Sequence, residues 1–575
     1  MNPRGLLKTA PVILVALVSF GVYFNALPNG FVYDDELQIV DNYLLRDAKY
    51  IPEIFSTSLW EHVGRGSSYY RPFLNLILMA NYHVFGLAPW GYHFVNVLFH
   101  ALAAIAVYFL AAELLKNNGR GGFFSPPLIA ALLFAVHPIH TEAVAWASGL
   151  MDLSFALFYM LSFYFYLRSD MRFDAKYALS VFFFLLAALS KEPALTLPLL
   201  LLAYDLSFRK EGAGLSGYLK RYIPYGIAAG LYFILRVNAL GGLAPVKSTV
   251  ELSLYGYFLN ILFLFSLYLK KLLLPVDLNF FYLFKPLHSF FSLRGALSSL
   301  AAAGFAGLIF FSFRRARPVF LALMFILIPL LPVLYIPALT QGLEQALTER
   351  YLYLPSFGFV LLIAYFASKF PERVAHGKAL AISLALLFLI YSAGTIKRNF
   401  VWKDSLTLAG DTLLKSPDSA VAHQTLGYAL LHEGQRDKGI SHMRTAFRLK
   451  PDLVHKSIDL GIAYAQRGLL KKAILEFHVA LMLDPDSVPA HYNLGLAYEK
   501  KGWTKEAVAE FETLLKLAPS FADAHSALGV LYAEKGMLGP AIEHFEDALK
   551  WNPNDAYTKL NLEHARKLKR AEPTP

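Results

Sequence analysis

Long uncharged runs dominate the first two thirds of this chain; toward its end they give way to apolar residues at helical spacing among many charges. The runs fall at roughly 7–26, 92–112, 127–147, 150–167, 177–190, 193–208, 222–240, 293–313, 318–336, 351–368 and 378–396. About 18 apolar residues suffice to cross a bilayer as a helix, so the pattern predicts a bundle of about 11 spans, several of them short. A further apolar run, 254–274, ends in Lys270–Lys271 and then Pro275. The stretch "YYRPFLNLILMANYHVFG" from Tyr69 mixes polar and apolar residues. Asn75, Asn81 and His83 argue that it lies along the membrane surface as an amphipathic helix and does not cross.

Basic residues orient the bundle, because Lys and Arg collect on the inner side. Arg4 and Lys8 place the N-terminus inside. Successive inner loops then hold Lys116 and Arg120, then Arg168, Arg172 and Lys176, then Arg209, Lys210, Lys220 and Arg221. If 254–274 lies on the outer surface, Arg314, Arg315 and Arg317 are also inside, with Lys369, Arg373 and Lys378. That register leaves Lys270, Lys271, Lys285 and Arg294 outside, sends the C-terminal part outside, and is the one adopted. Residues 1–26 read as an uncleaved first span, not a signal peptide.

From about Lys403 a repeat appears. "LGYALLHEGQ", "LGIAYAQRGL", "LGLAYEKKGW" and "LGVLYAEKGM" align, and Gly427, Gly461, Gly495 and Gly529 recur every 34 residues. Pro417, Pro451, Pro485, Pro519 and Pro553 keep the same beat, as do Ala473, Ala507 and Ala541 and the aromatics Phe477, Phe511 and Phe545. This is the tetratricopeptide period and pattern. Small residues let paired helices approach, and the aromatics are expected to fill the gap between repeats. The fold class is therefore all-α: a multi-pass membrane domain over 1–402, then a tetratricopeptide α-solenoid over 403–575. The solenoid holds four full repeats, a leading half-repeat and a capping helix near Tyr557–Lys569.

Composition agrees. Hydrophobic residues make up 56% and charged residues 17%, which is membrane-like. The net charge of +11 is accounted for by the inner loops. No basic tract interleaved with aromatics suits nucleic acid, so no nucleic-acid partner is expected. With no cysteine, disulfides, thiol catalysis and Cys-rich zinc sites are excluded.

Charged groups at the membrane edge are costly, and so are functional candidates. Asp34, Asp35 and Glu36 stand together after the first span. They could form a solvated loop, or act as a general base with metal or acceptor binding by a neighbour, since adjacent like charges raise one another's pKa. In "HPIHTEAVAW", His137 and His140 could hold a phosphate or a metal, with Glu142 beside them, or could pack structurally. In "LSKEPALTLP", Lys191 and Glu192 sit at an outer turn, a natural place for an anionic head group. "LTERYLYLPSFGF" carries Glu349 and Arg350, and Arg71 precedes Pro72. Arg350 could hold a phosphate bidentately or could snorkel. All four clusters face one side in the adopted register.

Taken in order, "YDDE", "YYRPF" with "GYHFVNVLFHAL", "HPIHTEAVAW", "LSKEPALTLP", "ERYLYLPS" and the repeats resemble the transmembrane and tetratricopeptide-repeat-containing proteins. These are polyprenyl-phosphate-dependent glycosyltransferases of the C-type fold. The resemblance covers nearly the whole chain. It implies an acid of the first outer loop as base, Asp34 or Asp35. It implies a sugar on a polyprenyl phosphate as donor, with mannose and a protein Ser or Thr as donor sugar and acceptor in the best-studied relatives. The expected roles are then Asp34, Asp35 and Glu36 catalytic; Arg71, His137, His140, Lys191 and Arg350 for the donor phosphate; and Glu142, Glu192 and Glu349 in support. A divalent metal is left open. The expected partners are the lipid-linked sugar, membrane lipids and a protein or peptide acceptor docked on the repeats. The absence of cysteine and the compact array suggest a bacterial inner membrane with a periplasmic active site; in a eukaryote this would be the lumenal side of the endoplasmic reticulum. The alternatives are a non-catalytic membrane anchor whose repeats recruit envelope proteins and, less favoured, a transporter.

Overall fold

A computed structural model of the chain describes residues 3–63, 67–115, 125–169, 173–208, 215–243, 252–335, 346–369 and 374–571. Lys116, Arg120, Arg172, Arg209, Lys210 and Arg373, used above for orientation, lie outside the described residues. Every regular element among those described is helical. The chain forms two compact units, Met1–Thr425 and Leu426–Pro575.

Among the described residues of the first unit, eight helices are long and apolar enough to cross a membrane, or nine if one bent pair counts as a span. The pair is Pro126–Val136 and Pro138–Ala145, bent by 49°. Pro138 causes the break, since proline removes a backbone donor and its ring clashes with the preceding turn. Ala175–Ser190 and Pro355–Lys369 are apolar but shorter. The expected span at 193–208 is split into a 3-10 turn, Glu192–Thr196, and a helix of 12 residues, Leu197–Phe208. Helix Pro72–Phe85 has 14 residues, too few to cross, in line with its reading as a surface helix.

The first and last spans end side by side. The Gly30 amide donates to the Lys403 carbonyl at 2.9 Å, and Asn399 Nδ2 donates to the Val22 carbonyl at 2.9 Å. The chain therefore crosses the bundle an odd number of times between Pro3 and Trp402. Helix Leu254–Leu273 is also long and apolar enough to cross. The chain that leaves it runs back along it. Lys271 Nζ donates to the carbonyls of Val276 and Asp277, the Phe263 and Phe284 rings lie 5.5 Å apart, and the Phe290 amide meets Tyr255 OH at 3.0 Å. The chain is thus back beside residue 255 just before helix Leu293–Arg315 begins. Arg317–Leu334 then carries Val333, which shares a pocket with Lys191 and Arg350.

The helix Ser405–Lys415, assigned to the repeats from sequence, packs into the first unit instead. Trp402 and Leu408 are buried in its core, Lys415 Nζ donates to the Leu278 carbonyl at 2.7 Å, and Arg398 pairs with Asp411 at 2.7 Å.

The second unit is built of helix pairs, among them Leu453–Gln466 with Leu470–Leu483 and Val488–Lys500 with Thr504–Leu517. A Cβ on Gly495 would stand 2.6 Å from the Phe511 ring, and one on Gly461 would stand 2.5 Å from Phe477. The repeating aromatic therefore sits on the glycine of its own repeat; the expectation that it fills the gap between repeats is corrected. The helix Ala556–Ala571 packs Leu562 and Ala565 on Ala541 and Phe545 and acts as the cap.

Candidate active site at one end of the bundle

The acid triplet divides by environment. Asp35 is fully enclosed, Asp34 is half-buried and Glu36 is exposed. Asp35 Oδ2 accepts the Val32 amide at 3.0 Å, and Oδ1 accepts the Ser148 amide at 2.8 Å and hydroxyl at 2.5 Å. This ties the loop to the turn Ala147–Gly149. That turn folds tightly: a Cβ on Gly149 would stand 2.2 Å from the Ala143 carbonyl oxygen. Asn96 Nδ2 braces the same stretch through the Trp146 carbonyl at 2.7 Å.

Burial lifts the Asp35 carboxyl from 3.8 to about 7, opposed by the hydrogen bonds from Ser148 and Val32 and aided by Asp34. A raised value means the fold favours the protonated acid. Its contribution to stability is then present below 3.8 and lost as pH rises through about 7. Asp35→Asn, which cannot ionise, is expected to flatten the fall in thermal midpoint between about pH 4 and pH 7. Melting curves of both forms in detergent check this.

Beside this loop lies an ion network. Lys191 pairs with Asp152 at the start of the helix Leu150–Arg168, and Arg350 pairs with Glu142. Arg350 Nε also stands 3.9 Å from Asp152 Oδ2, which joins the two pairs. The Arg350 guanidinium lies 5.3 Å from the Trp146 ring centre. Lys191 lies over Tyr351 at 4.6 Å. Burial pulls the Lys191 ammonium down and Asp152 opposes it. Arg71 pairs with Glu192 at 2.9 Å, and Arg236 reaches the other oxygen of Glu192 at 3.5 Å. Among the described residues, Arg71, Lys191, Arg236 and Arg350 thus share Glu142, Asp152 and Glu192, leaving the network one cation in excess.

Lys191, Arg350, Asp152 and Tyr351 line a small pocket whose remaining wall includes Phe155, Pro193, Pro329, Val333 and Leu354. The acid loop reaches the same surroundings through Tyr33, whose ring centre is 6.4 Å from that of Trp146.

Three expected residues lie elsewhere. His137 and His140 are fully buried and do not line the pocket. The His-Pro break turns them into the bundle, where His137 Nδ1 accepts the Ile139 amide and His140 Nε2 meets Ser356 Oγ at 2.7 Å. His140 also packs on Tyr353, so it backs the pocket wall and does not face a phosphate. Glu349 turns the opposite way from Arg350: it accepts the Asn279 amide at 2.5 Å and the Tyr282 hydroxyl, with Arg398 3.9 Å away. Burial lifts its carboxyl to about 7, with Arg398 opposing. Among the described residues no three His, Asp or Glu side chains are gathered to hold a metal ion.

Asp152 and Arg236 were missed from sequence. Each is an isolated charge within an apolar stretch, in "LMDLSF" and "FILRVN", and that isolation is the signal that could have found them. Nothing local marks Ser148 or Trp146.

The chain carries tetratricopeptide repeats: models described as TPR repeat and Tetratricopeptide repeat match residues 461–502, 488–521 and 522–555. It is 27% identical over 487 residues to the human Protein O-mannosyl-transferase TMTC3, covering 77% of this chain and 51% of that protein. It is 28% identical over 451 residues to Protein O-mannosyl-transferase F38B6.6 of Caenorhabditis elegans, covering 76% and 63%. Identity to human Protein O-mannosyl-transferase TMTC1 is 27% over 501 residues, covering 78% and 56%. The chain spans about half the length of the first of these relatives. Among solved structures it is similar to the first TPR of Spaghetti (RPAP3) bound to HSP90 peptide SRMEEVD, at 20% identity and a TM-score of 0.20, over 20% of this chain and 93% of that one.

Proposed function

We propose that this chain is a membrane glycosyltransferase that moves a sugar, mannose by analogy with its relatives' names, from a polyprenyl-phosphate donor to a Ser or Thr hydroxyl of a protein. The observation that carries this reading is the pocket in which Lys191 and Arg350 stand against an apolar wall. A phosphate at the end of a hydrocarbon chain matches both surfaces. The network's one excess cation also suits an anion.

An acceptor hydroxyl is a weak nucleophile, so a carboxylate takes its proton as the oxygen attacks the anomeric carbon. Asp34 is assigned this role because Asp35 is enclosed and commits both oxygens to its neighbours. The bond from the anomeric carbon to the phosphate oxygen breaks, and the polyprenyl phosphate leaves with the electron pair. Lys191 and Arg350 stabilise the charge it gains. One direct displacement inverts the configuration at the sugar. Basic residues at the opposite end, Arg168 and Arg221 among them, support reading the pocket as facing the outer, periplasmic or lumenal, side. The tetratricopeptide unit is read as the holder of the acceptor protein.

The test supplies purified full-length protein with a panel of polyprenyl-phosphate sugars and a Ser/Thr-rich protein acceptor. Transfer from at least one donor, visible as a mass shift on the acceptor, is the expected result. No transfer from any donor, with the repeats still binding proteins, would leave the scaffold reading in its place.

A further inference from the structure

Tyr33, the residue before the acid triplet, has φ +53°, a left-handed backbone that bulky side chains rarely adopt. Among the described residues the other non-glycine with positive φ is Asp277, at +50°. The two strained points flank one contact. The Tyr33 ring meets Phe280 and Phe281 edge-on, with centroids 5.1 and 5.4 Å apart. The segment carrying those rings is pinned along its length. Lys271 Nζ donates to the Asp277 carbonyl at 2.7 Å, the Asn279 amide to Glu349 Oε1 at 2.5 Å, and Asn279 Nδ2 to Ser416 Oγ at 2.9 Å. Strain of this kind persists only where the surroundings over-determine it, and it gathers at functional sites.

We propose that Tyr33 is a positioning residue: the Phe280–Phe281 pair holds it in the left-handed conformation, and that conformation sets where the next residue, Asp34, presents its carboxylate. The inference rests on the reading of Asp34 as the base. Both neighbours of Asp34 are fixed, Tyr33 by the aromatic pair and Asp35 by Ser148. Asp34's own carbonyl accepts the Gln38 amide at 2.8 Å, which anchors the peptide beyond it. The direction of the Cα–Cβ bond at Asp34 is therefore set by the backbone, and that backbone is held by rings more than 240 residues away in sequence. The same segment is held by Glu349, the neighbour of Arg350, so the base and the phosphate cation hang from one anchor.

Glycine at position 33 accepts the left-handed backbone without strain but gives the aromatic pair nothing to grip. Phenylalanine keeps the ring. In the transfer assay, Tyr33→Gly is expected to lower kcat about 10–100-fold, since displacement by about 1 Å is worth up to about 100-fold. Its donor KM is expected to stay within about twofold, because ground-state binding of the phosphate is untouched. Tyr33→Phe should stay within about threefold of wild type in kcat, and Phe281→Leu should lower kcat in the same direction as the glycine variant. Wild-type kcat in Tyr33→Gly, or a change confined to KM, overturns the proposal. If Tyr33→Gly fails to fold, Tyr33→Asn carries the test, as asparagine tolerates this backbone. Asp34→Asn run in parallel separates the two claims. Full turnover in Asp34→Asn sinks the reading of Asp34 as the base; an inactive Asp34→Asn beside a fully active Tyr33→Gly sinks this inference alone.

Discussion

Replacing Asp34 with asparagine is expected to reduce sugar transfer by about 10²–10⁴-fold, the usual contribution of a positioned general base. The side chain keeps its shape and loses only the ability to take a proton. The donor phosphate is read as bound by Lys191 and Arg350, so donor binding should be unchanged, and Asp34 is half-buried, so folding should be unchanged too. Transfer from a labelled donor, donor binding and thermal midpoint, measured on one preparation, check all three. Asp35→Asn is the contrast. Its carboxyl accepts three hydrogen bonds in an enclosed site, so its substitution should act on stability and its pH dependence more than on the chemical step. A dead Asp35→Asn beside an active Asp34→Asn would exchange the two roles.

Much of this arrangement could be read from residue patterns, and the exceptions have physical causes. The repeats were legible because a solenoid unit must present the same small and turn residues at every period, and Gly461, Gly495 and Gly529 do so against facing aromatics. Which aromatic meets which glycine was not legible, since periodicity fixes intervals and not partners. The return of the chain along the helix Leu254–Leu273, where Asn260 bonds to Leu287, was not legible either, since no short-range pattern marks that pairing.

Within the site, Lys191, Glu192, Arg71, Glu142 and Arg350 converge as their positions at span ends suggested. The histidines and Glu349 do not join them. A 3-10 turn, Glu349–Leu352, sends adjacent side chains to different neighbours, so Glu349 goes to Asn279 and Arg350 to Glu142. Sequence adjacency could not predict that divergence. Nor could it predict the bond from Asp35 to Ser148, which spans 113 residues.

Removing the Arg350 side chain should affect stability and catalysis together, and a double substitution should separate them. Arg350→Met leaves the Glu142 carboxylate, 1% exposed, without its guanidinium partner. An orphaned buried charge of this kind destabilises by about 3–5 kcal/mol. Transfer should fall as well, by about 10²–10³-fold, the scale of losing one fixed group that stabilises a leaving charge. Arg350→Met with Glu142→Gln removes the orphaned charge. The side-chain carbonyl oxygen that this second substitution leaves at position 142 can still accept the backbone amide at position 350, which meets Glu142 at 3.0 Å in the wild type. The double variant should therefore regain most of the lost thermal stability while transfer stays low. Lysine at position 350 is no substitute: one ammonium cannot pair with Glu142, approach Asp152 and lie over Trp146 at once. Melting curves and transfer rates for the single and double variants decide the matter. If activity returns together with stability in the double variant, Arg350 is a structural partner of Glu142, and Lys191 alone is left to meet the departing phosphate.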